Sequence, residues 1–487
     1  MTGTTKLTIL HANDMHGDFF AEQDSSTGRN VGGLALLSGY LSKVHREEEN
    51  VLFLIAGDIV QGNLIDSEYK GISTMAFINY LTPDVIALGN HEFDYGLSHL
   101  LFLEKVANFP IVNANLYIKP FNKRLMKPFC ILKKAGLDIL VTGIITEKVM
   151  DSIKGDNLLS SFVNLEEASQ EVGRITNAYK GDDIDLTIIL THIGIESDVE
   201  LAKLLKPEWG VDIIIGGHSH TFIDKPIVEN GVIIITAGEG TNQIGRLDVI
   251  VDDDTNSIID YQWQLVKIDD SLVEPDKDLE TFIHSYQERV DDKYSAMISK
   301  LKFKHTHPVR EVETGLGNLF ADALAEMTES DIVFLASGSI RTKELGPLVT
   351  LRDVATCFPY NDPLSRYTVT GTQLRRIFGH IMRKENRNGE GECYQVNGRV
   401  RACYDEGMGR LRSLSVDGHE VQDSQTFGIC LQPYHAKNSK AYLDITSEEL
   451  HSLKTKVVST SARDVLEEWL RNNQNCGREI EGRLQYL

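Results

Sequence analysis

The sequence predicts an α/β protein that is divided into two domains. The chain has 487 residues, which is longer than an ordinary single domain of about 100–200 residues. Short apolar runs alternate with longer mixed segments through the first half, as expected for strands joined by helical crossovers. The character of the sequence changes near residue 250, where we expect the first domain to end.

The predicted strands of the first half are short and mostly continuous in hydrophobicity. Such continuity indicates that both faces of a strand are buried, as in sheets covered by helices. We therefore expect layered sheets with helices packed on them. The strands are predicted at Lys6–Leu10, Val51–Ala56, Asp84–Leu88, Asp138–Gly143, Asp185–Leu190, Asp212–Ile215 and Val232–Ala237.

A turn followed by a strand predicts the end of the first domain. Val251–Asn256 is typical of a turn, and Ile258–Ile268 is typical of a strand. Apolar residues then recur at steps of three and four, with one step of one, which predicts an amphipathic helix between the domains. These residues are Leu279, Phe282, Ile283, Tyr286, Val290, Tyr294 and Met297. The predicted boundaries are 1–270 for the first domain, 271–303 for the linker helix and 304–487 for the second domain.

The second domain is predicted to contain strands and helices of its own. Residues 384–392, which are rich in Gly, Arg and Glu, are predicted to form a loop. The strands are predicted at Ile332–Ala336 and Thr426–Leu431, and the helices at Gly317–Met327, Thr372–Met382 and Ser461–Asn472.

The composition limits the partners that the protein can have. Lys plus Arg total 49 and Asp plus Glu total 71, which gives a net charge of −22. This charge repels the phosphate backbone of a nucleic-acid polymer at long range. A small phosphate ester stays a candidate ligand, because local cations can dominate inside a cleft. The longest apolar runs are strand-sized, so no membrane span is predicted.

The cysteines and the N-terminus predict a cytoplasmic protein. The six cysteines show neither CxxC spacing nor a dense framework, which is typical of reduced thiols. A bridge between Cys393 and Cys403 stays an alternative, because they are the closest pair in the sequence. The segment Met1–Leu10 lacks the charged and apolar regions of a secretory leader.

Residues of the types that bind metals follow the ends of five predicted strands. Because sites in α/β sheets form beyond the carboxyl ends of strands, side chains from these five places can converge. Asp14 and His16 are two residues apart, as are His218 and His220, which places each pair on one side of an extended chain. The complete set is Asp14, His16, Asp58, Asn90, His91, His192, His218 and His220.

Taken one at a time, these residues have ordinary structural explanations. Asp14 and His16 could belong to a polar turn, Asp58 could cap the next helix, and a lone histidine after a strand is usually structural. Their recurrence at five strand ends favours a metal centre over five separate coincidences.

The segment Gly89–Asp94 is the most specific part of the set. Asn90 offers an amide oxygen as a metal ligand. His91 can donate a proton, and Asp94, three residues later, can orient its ring. A turn without a function seldom carries all three groups.

The donor set predicts a catalytic centre with two divalent metal ions. Carboxylate and amide oxygens together with imidazole nitrogens suit Mn, Zn, Fe or Co, rather than Ca or an all-cysteine structural zinc site. Two such ions roughly 3.5–4 Å apart can activate water and neutralise the oxygens of an in-line phosphoryl displacement. The sequence therefore predicts phosphoester hydrolysis.

Five motifs of the first domain occur in an order shared with a known family. The motifs are Asp14-Met-His16, Gly57-Asp58, Gly89-Asn90-His91-Glu92, Thr191-His192 and Gly217-His218-Ser219-His220. They resemble those of calcineurin-like metallophosphoesterases, specifically the 5′-nucleotidase and UDP-sugar hydrolase family. The resemblance implies a four-layer αββα catalytic domain. By position it also implies one metal on Asp14, His16 and His220, a second on Asn90, His192 and His218, a bridging Asp58, and a catalytic pair of His91 and Asp94.

The second domain resembles the α/β substrate-binding domain of the same family. The similar segments are Glu313–Asp322, Ser337–Arg341, Phe358–Asn361 and Glu481–Arg483. The resemblance implies that Arg310 and Arg341 hold substrate phosphate or carboxylate groups, a task that suits guanidinium forks. It also implies that Tyr360 and Tyr442 enclose the base. Surface ion pairs for the arginines and core packing for the tyrosines stay alternatives.

Three departures from the family pattern fall in this second domain. Ala336–Gly338 replaces Asn-Gly-Gly, and Thr306 stands where a further arginine is expected. Lys437–Ala441 replaces an Asn-Gly-Gly-Asp-Gly loop that lines the base pocket in the family. We therefore expect an intact phosphoesterase centre with altered recognition of the nucleotide.

The resemblance implies hydrolysis of nucleoside 5′-monophosphates to nucleoside and phosphate. A nucleotide-sugar or dinucleotide pyrophosphatase and a cyclic-nucleotide phosphodiesterase are alternatives within the family. A nucleotide-binding protein that has lost turnover is the alternative outside enzymes, and the altered second domain motivates it. The expected partner is a small nucleotide or phosphate ester, with no nucleic-acid polymer and no membrane.

Overall fold

The structure is a computed structural model that describes residues 3–118, 121, 123–146, 159–162, 164–179, 181–388 and 391–487. The chain forms two compact units, Met1–Val290 and Asp291–Leu487. The division falls inside the helix Lys277–Ser295. It therefore lies within the segment that the sequence predicts as the linker.

The first unit contains strands and helices in alternation. In chain order the strands are β1 (Thr4–Ala12), β2 (Glu22–Gln23), β3 (Asn30–Val31), β4 (Val51–Ile55), β5 (Val85–Ala87), β6 (Ile111–Val112), β7 (Leu116–Ile118), β8 (Lys123–Arg124), β9 (Phe129–Lys134), β10 (Leu137–Ile145), β11 (Leu159–Phe162), β12 (Leu186–His192), β13 (Ile213–Ile215), β14 (Ile227–Glu229), β15 (Val232–Ile235), β16 (Gln243–Asp252) and β17 (Ser257–Lys267). The helices are α1 (Leu34–Glu47), α2 (Leu64–Tyr69), α3 (Ile72–Leu81), α4 (Leu97–Val106), α5 (Leu165–Ala178), α6 (Ile195–Leu204) and α7 (Lys277–Ser295).

Two six-stranded sheets form the centre of the first unit. Their strand orders are β17-β16-β1-β4-β5-β6 and β14-β15-β13-β12-β10-β9. β1, β4, β5 and β6 run parallel in the first sheet, and β10, β12, β13 and β15 run parallel in the second. Parallel neighbours end at the same edge of a sheet, so their carboxyl-terminal loops lie side by side.

The two sheets share one buried core, and helices cover the second sheet on its other side. Leu54 of β4 and Ile188 of β12 belong to the same buried cluster. On the opposite face of the second sheet, Ile189 packs with Val172 of α5 and Leu201 of α6. In the first sheet, α1, α3 and α4 connect the parallel strands, and such helical crossovers pack on the face of the sheet. Phe53, which alternates with the core residues of that sheet, is buried as well. The four-layer αββα arrangement is therefore confirmed.

The second unit is a separate α/β body whose two larger sheets are both mixed, ordered β24-β20-β28-β23-β29 and β27-β26-β25-β30. Its strands are β18 (Met297–Lys300), β19 (His305–Thr306), β20 (Ile332–Ala336), β21 (Glu344–Leu345), β22 (Leu348–Thr350), β23 (Leu364–Thr370), β24 (Tyr394–Val396), β25 (Val400–Asp405), β26 (Arg410–Val416), β27 (His419–Glu420), β28 (Thr426–Leu431), β29 (Thr455–Ser459) and β30 (Leu484–Tyr486). Its helices are α8 (Gly315–Thr328), α9 (Leu351–Cys357), α10 (Gly371–Ile381), α11 (Lys384–Arg387), α12 (Pro433–Lys437), α13 (Ser439–Leu443), α14 (Ser447–His451) and α15 (Ala462–Asn472). Phe334 of β20 and Phe378 of α10 lie in its core.

The structure corrects the predicted linker helix and the predicted loop. The linker helix is shorter than 271–303, because Asp276 accepts hydrogen bonds from the backbone N–H groups of Asp278 and Leu279 and so begins α7. Met297 belongs to β18 rather than to the helix, since that strand pairs with β22. Part of the predicted loop 384–392 is helical, as α11.

One long strand was missed by the sequence analysis. β16 pairs with β1 and β17 and lies between them in the first sheet. Its side chains alternate between buried and half-buried positions, unlike the continuously buried strands that the sequence analysis recognised.

Two further features concern membrane-spanning helices and disulfide bonds. Among the residues that the structure describes, no helix is long and apolar enough to cross a membrane. All six cysteines are free. The alternative bridge between Cys393 and Cys403 is therefore not formed.

Candidate metal centre

Five strand ends bring the predicted ligands together in the first unit. The ligands from the first sheet follow β1, β4 and β5, which are neighbours in that sheet. The ligands from the second sheet come from β12 and the loop after β13, which are also neighbours. His192 is the last residue of β12 rather than a loop residue. The arrangement places all five loops at the carboxyl ends of parallel strands, as the sequence predicts.

Several candidate ligands adopt a backbone conformation that is unusual for residues with a side chain. The φ angles are 51° for Asp14, 47° for His16, 55° for Asp58, 78° for His218 and 50° for His220. Left-handed φ values in non-glycine residues are costly, and such strain is concentrated at functional sites. The chain therefore holds these five side chains in place at an energetic cost.

One cluster of donors consists of Asp14, His16 and His220. His220 Nε2 lies 3.2 Å from His16 Nε2 and 3.4 Å from Asp14 Oδ1. His16 Nε2 lies 3.8 Å from Asp14 Oδ1. The offered atoms all lie within 4.8 Å of one another, as ligands of one ion must.

A second cluster adjoins the first. His192 Nε2 lies 3.0 Å from Asp58 Oδ2 and 3.7 Å from Asp14 Oδ1. His218 Nδ1 lies 2.9 Å from Asn90 Oδ1. Asp58 also groups with His16 in a further candidate set, so it offers atoms to both clusters. Asp14 belongs both to the set with His16 and His220 and to a set with Asp58 and His192, so both carboxylates adjoin the two clusters. The division of the ligands between two ions stays a prediction.

The environment of His192 tests whether these donors fit a divalent cation. Its ring is fully buried, and its Nδ1 lies 2.8 Å from the carbonyl oxygen of Ala56, which can only accept, so Nδ1–H donates a hydrogen bond to it. Nε2 makes no hydrogen bond with any described residue, although Asp58 Oδ2 lies only 3.0 Å away. With Nδ1 engaged, Nε2 is the atom that His192 offers to a cation, and a cation bound there would also contact the Asp58 carboxylate. The donors therefore fit.

The carboxylates also show how negative the centre is without a cation. Burial opposes protonation of His192, but Asp58 and Asp14 outweigh it and raise the pKa of His192 to about 9. Metal binding would replace the proton that this negative charge attracts.

His91 and Asp94 form the predicted pair at the edge of the two clusters. His91 Nδ1 lies 2.7 Å from Asp94 Oδ2, and Asp58 Oδ1 accepts a hydrogen bond from the backbone N–H of His91. Burial lowers the pKa of His91, but the hydrogen bond to Asp94 and the charge of Asp58 outweigh this effect, so the net shift is upward. The pair thus provides an oriented imidazole that can carry a proton at Nε2.

Glu92 is a site residue whose role the sequence analysis did not recognise. Its carboxylate accepts hydrogen bonds from the backbone N–H groups of Asp58, Ile59 and Gly89 at 3.0, 2.8 and 2.6 Å. Burial and the nearby Asp58 raise the pKa of Glu92 to about 7. Glu92 joins the loops after β4 and β5. The position of Glu92 within the Gly89–Asp94 segment is the sequence feature that could have indicated this role.

Two further residues were missed because no local motif marks them. Glu239 Oε2 lies 2.6 Å from His220 Nδ1. Asn13 donates a hydrogen bond to Asp14 Oδ2 at 2.8 Å. Glu239 lies between Gly238 and Gly240, but nothing in the sequence connects that segment to a histidine nineteen positions earlier.

The predicted substrate-binding residues lie in the second unit, around a cavity of about 410 Å³. Arg310, Arg341 and Tyr360 line it, and neither arginine forms an ion pair with a residue in the described part of the chain. Tyr360 is 39% exposed. The surface ion pair considered for the arginines is therefore not observed. Arg341 Nη1 donates a hydrogen bond to the carbonyl oxygen of Gly338 at 3.4 Å, and Glu392 lines the same cavity.

Tyr442 has a different position from Tyr360. It does not belong to the residues that line the cavity, whereas Tyr434 does. The Tyr442 hydroxyl lies 3.2 Å from the Tyr434 hydroxyl, and its ring packs against the core of the second unit. The predicted base-lining loop Lys437–Ala441 lies in α12 and α13. Tyr434 of α12, with 55% of its surface exposed, lines the cavity together with Tyr360.

The fold and the centre define a calcineurin-like phosphoesterase. The sequence matches the family described as calcineurin-like phosphoesterase over residues 7–222 and the family described as 5′-nucleotidase, C-terminal domain, over residues 291–446. A 5′-nucleotidase of Vibrio parahaemolyticus is 30% identical over 424 residues, covering 76% of this chain and 74% of the relative. A 5′-nucleotidase of Mus musculus is 28% identical over 445 residues, covering 82% and 75%. The chain belongs to the 5′-nucleotidase family.

Solved structures share this fold over almost the whole chain. A 5′-nucleotidase precursor from Thermus thermophilus aligns with a TM-score of 0.63 at 22% identity, covering 99% of both chains. The NAD nucleotidase of Haemophilus influenzae aligns with a TM-score of 0.60 at 18% identity, again covering 99% of both. At these identities the structural likeness supports the fold alone.

Proposed function

We propose that the protein is a metal-dependent phosphohydrolase that releases phosphate from nucleoside 5′-monophosphates. The observation that carries this proposal is the convergence of two adjoining donor clusters with an oriented imidazole, His91, at their edge. The relatives named 5′-nucleotidase support the choice of substrate class.

Seven side chains would hold the metal ions. Asp14, His16 and His220 would hold one ion, Asn90, His192 and His218 the other, and Asp58 would contact both. Two divalent cations supply positive charge that neutralises the phosphoryl oxygens and makes water acidic enough to attack phosphorus near neutral pH. The mixture of oxygen and imidazole donors supports Mn, Zn, Fe or Co as the ions.

His91 would assist departure of the nucleoside. The attack by water forms a new phosphorus–oxygen bond and breaks the bond to the nucleoside oxygen, which needs a proton. His91 can donate that proton from Nε2, because its Nδ1 is engaged with Asp94 at 2.7 Å. Asp94 fixes the ring and stabilises the charged imidazole.

The second unit would recognise the rest of the substrate. Arg310 and Arg341 offer planar guanidinium groups for a phosphate or carboxylate. Tyr360 and Tyr434 offer exposed rings against which a base can stack. Tyr442 would act through Tyr434, whose ring centroid lies 5.8 Å from its own. This role differs from the direct contact with the base that the family resemblance implies.

A substrate panel tests this proposal. Metal-free protein is reconstituted with Mn²⁺ or Zn²⁺, and phosphate release is measured from nucleoside monophosphates, UDP-glucose, a cyclic nucleotide and an aryl phosphate. We expect nucleoside monophosphates to be hydrolysed best. Asp58→Asn should remove turnover, whereas the matched variant of an exposed aspartate, Asp182→Asn, should retain it.

The other outcomes of the panel separate the alternatives. Turnover of the aryl phosphate alone would contradict the proposed substrate class but keep the metal centre. Absence of turnover on every compound, with metal bound, would favour a nucleotide-binding protein instead.

A pyrophosphatase acting on nucleotide sugars or dinucleotides is a second candidate. It is supported by the two arginines that line one cavity, because a substrate with two phosphates offers two groups that guanidinium forks can bind. Release of a nucleoside monophosphate from UDP-glucose, rather than free phosphate from a monophosphate, would favour this candidate.

We also propose a cytoplasmic location. Six free cysteines support it, because oxidising compartments favour paired cysteines. Cell fractionation with a cytoplasmic marker tests this proposal, and recovery of the protein outside the cytoplasm would contradict it.

A further inference from the structure

We propose that Glu239 is a positioning residue that controls one of the two metal sites separately from the other. It acts through His220, and it belongs to a short loop, Ala237–Gly240, which we call the Glu239 loop. The inference rests on the dinuclear centre of the proposed function and goes beyond it by assigning outer-sphere control to one site.

The contact between Glu239 and His220 fixes how the imidazole is presented. Glu239 Oε2 lies 2.6 Å from His220 Nδ1, so Nδ1 carries a proton and its N–H donates a hydrogen bond to the carboxylate. The lone pair is then at Nε2, which lies 3.2 Å from His16 Nε2 and 3.4 Å from Asp14 Oδ1. A carboxylate behind a histidine ligand sets its tautomer, orients its ring and increases its basicity.

The same loop also holds Asp14, a second member of that cluster. The backbone N–H of Gly240 donates to the carbonyl oxygen of Asp14 at 2.8 Å. Asn13 connects the two segments further, since its side-chain amide donates to the carbonyl oxygen of Gly238 and accepts from the N–H of Ala237. The Glu239 loop thus positions two of the three donors of one site, by a charged contact and by the backbone.

The other cluster is held by different groups. His192 is fixed by the carbonyl oxygen of Ala56, and Asp58 by the backbone N–H of His91. Neither contact involves the Glu239 loop. Loss of Glu239 should therefore affect the two sites unequally, which a general structural defect would not do.

The exposure of Glu239 distinguishes a role in positioning His220 from a role in stabilising the fold. Its side chain is 53% exposed, and exposed ion pairs contribute little to stability. Changing Glu239 should therefore leave the unfolding temperature nearly unchanged while metal affinity falls. A residue that only supported the fold would show the opposite.

Mn²⁺ titration of metal-free protein by calorimetry tests the inference. Wild-type protein should bind two ions. Glu239→Ala should keep one site at its wild-type affinity and weaken the other by about 10–100-fold. Glu239→Gln retains an oxygen that accepts from Nδ1 but loses the charge, so its effect should be intermediate. Glu200→Gln changes an exposed glutamate on α6 and serves as the matched control.

Electron paramagnetic resonance supplies a readout that does not depend on turnover. At an Mn²⁺ concentration that fills both wild-type sites, the variant should show the signal of isolated Mn²⁺ in place of the signal of a coupled pair. Equal weakening of both sites, or unchanged binding in Glu239→Ala, would overturn the inference while leaving the dinuclear centre intact. A wild-type protein that binds fewer than two ions would overturn the dinuclear centre and this inference together.

Discussion

Asp198→Asn should make the metal-free protein more stable at pH 8 while changing its stability little near pH 4. Asp198 is on α6, fully buried, and neither carboxyl oxygen forms a hydrogen bond with a described residue. The space around it is tight, because a Cβ atom on Gly216 would lie 2.2 Å from Asp198 Oδ2. Asparagine has almost the same shape, so this substitution isolates the effect of the charge.

The magnitude follows from the pKa of the buried carboxyl group. Burial raises the pKa of Asp198 from 3.8 to about 7. Because the folded-state value lies above the unfolded one, the group contributes stability at low pH that is lost as the pH rises through about 7. Each pKa unit corresponds to about 1.4 kcal/mol, so a shift of about three units gives about 4 kcal/mol in all. The asparagine side chain of the variant cannot titrate, so the variant should escape this loss.

Urea unfolding of the metal-free protein between pH 4 and pH 8 measures the effect. The difference in free energy of unfolding between Asp198→Asn and wild type should grow with pH. Asp182→Asn, which changes an exposed aspartate, is the control and should follow the wild-type profile. Parallel pH profiles for Asp198→Asn and wild type would refute the reasoning, because they would show that the buried group does not titrate differently in the folded and unfolded states.

Three further substitutions test the centre and the cavity. His91→Ala should lower kcat by about 10²–10⁴-fold, because it removes the proton donor, while circular dichroism stays unchanged; turnover near that of wild type would contradict this role. Gly57→Ala should destabilise the first unit by about 2 kcal/mol or more in urea unfolding. The reason is that φ of Gly57 is +84° and a Cβ there would lie 2.6 Å from the N atom of Gly89 and 2.8 Å from His192 Nδ1. An unfolding midpoint equal to that of wild type would argue against this close packing. Tyr360→Ala should raise KM for nucleoside monophosphates several-fold with bound metal unchanged, as measured by steady-state kinetics and metal analysis; an unaltered KM would remove Tyr360 from substrate binding.

The sequence predicts the parts of the fold and the site that depend on local patterns. Continuous apolar strands such as Val51–Ala56 are recognisable because burial on both faces requires apolar residues at every position. The donors after those strands could be found for the same reason, since the strand end marks where each loop begins. Asp14 and His192 come from different sheets, yet each follows a strand that the sequence identifies.

Features that depend on contacts between distant segments could not be predicted in this way. Asn13 binds the Glu239 loop across more than two hundred residues, and no spacing rule connects the two. Met297 continues the helical pattern of α7 but lies in β18, because pairing with β22 outweighs its periodicity. Tyr442 matches the family position for base binding, but Tyr434 of α12 lines the cavity and Tyr442 does not.

Anomalous X-ray diffraction from crystals grown with Mn²⁺ would locate the metal ions themselves. We expect two peaks in the first unit, one contacted by Asp14, His16 and His220 and the other by Asn90, His192 and His218, with Asp58 between them. A single peak, or two peaks that Asp58 does not contact, would contradict this expectation.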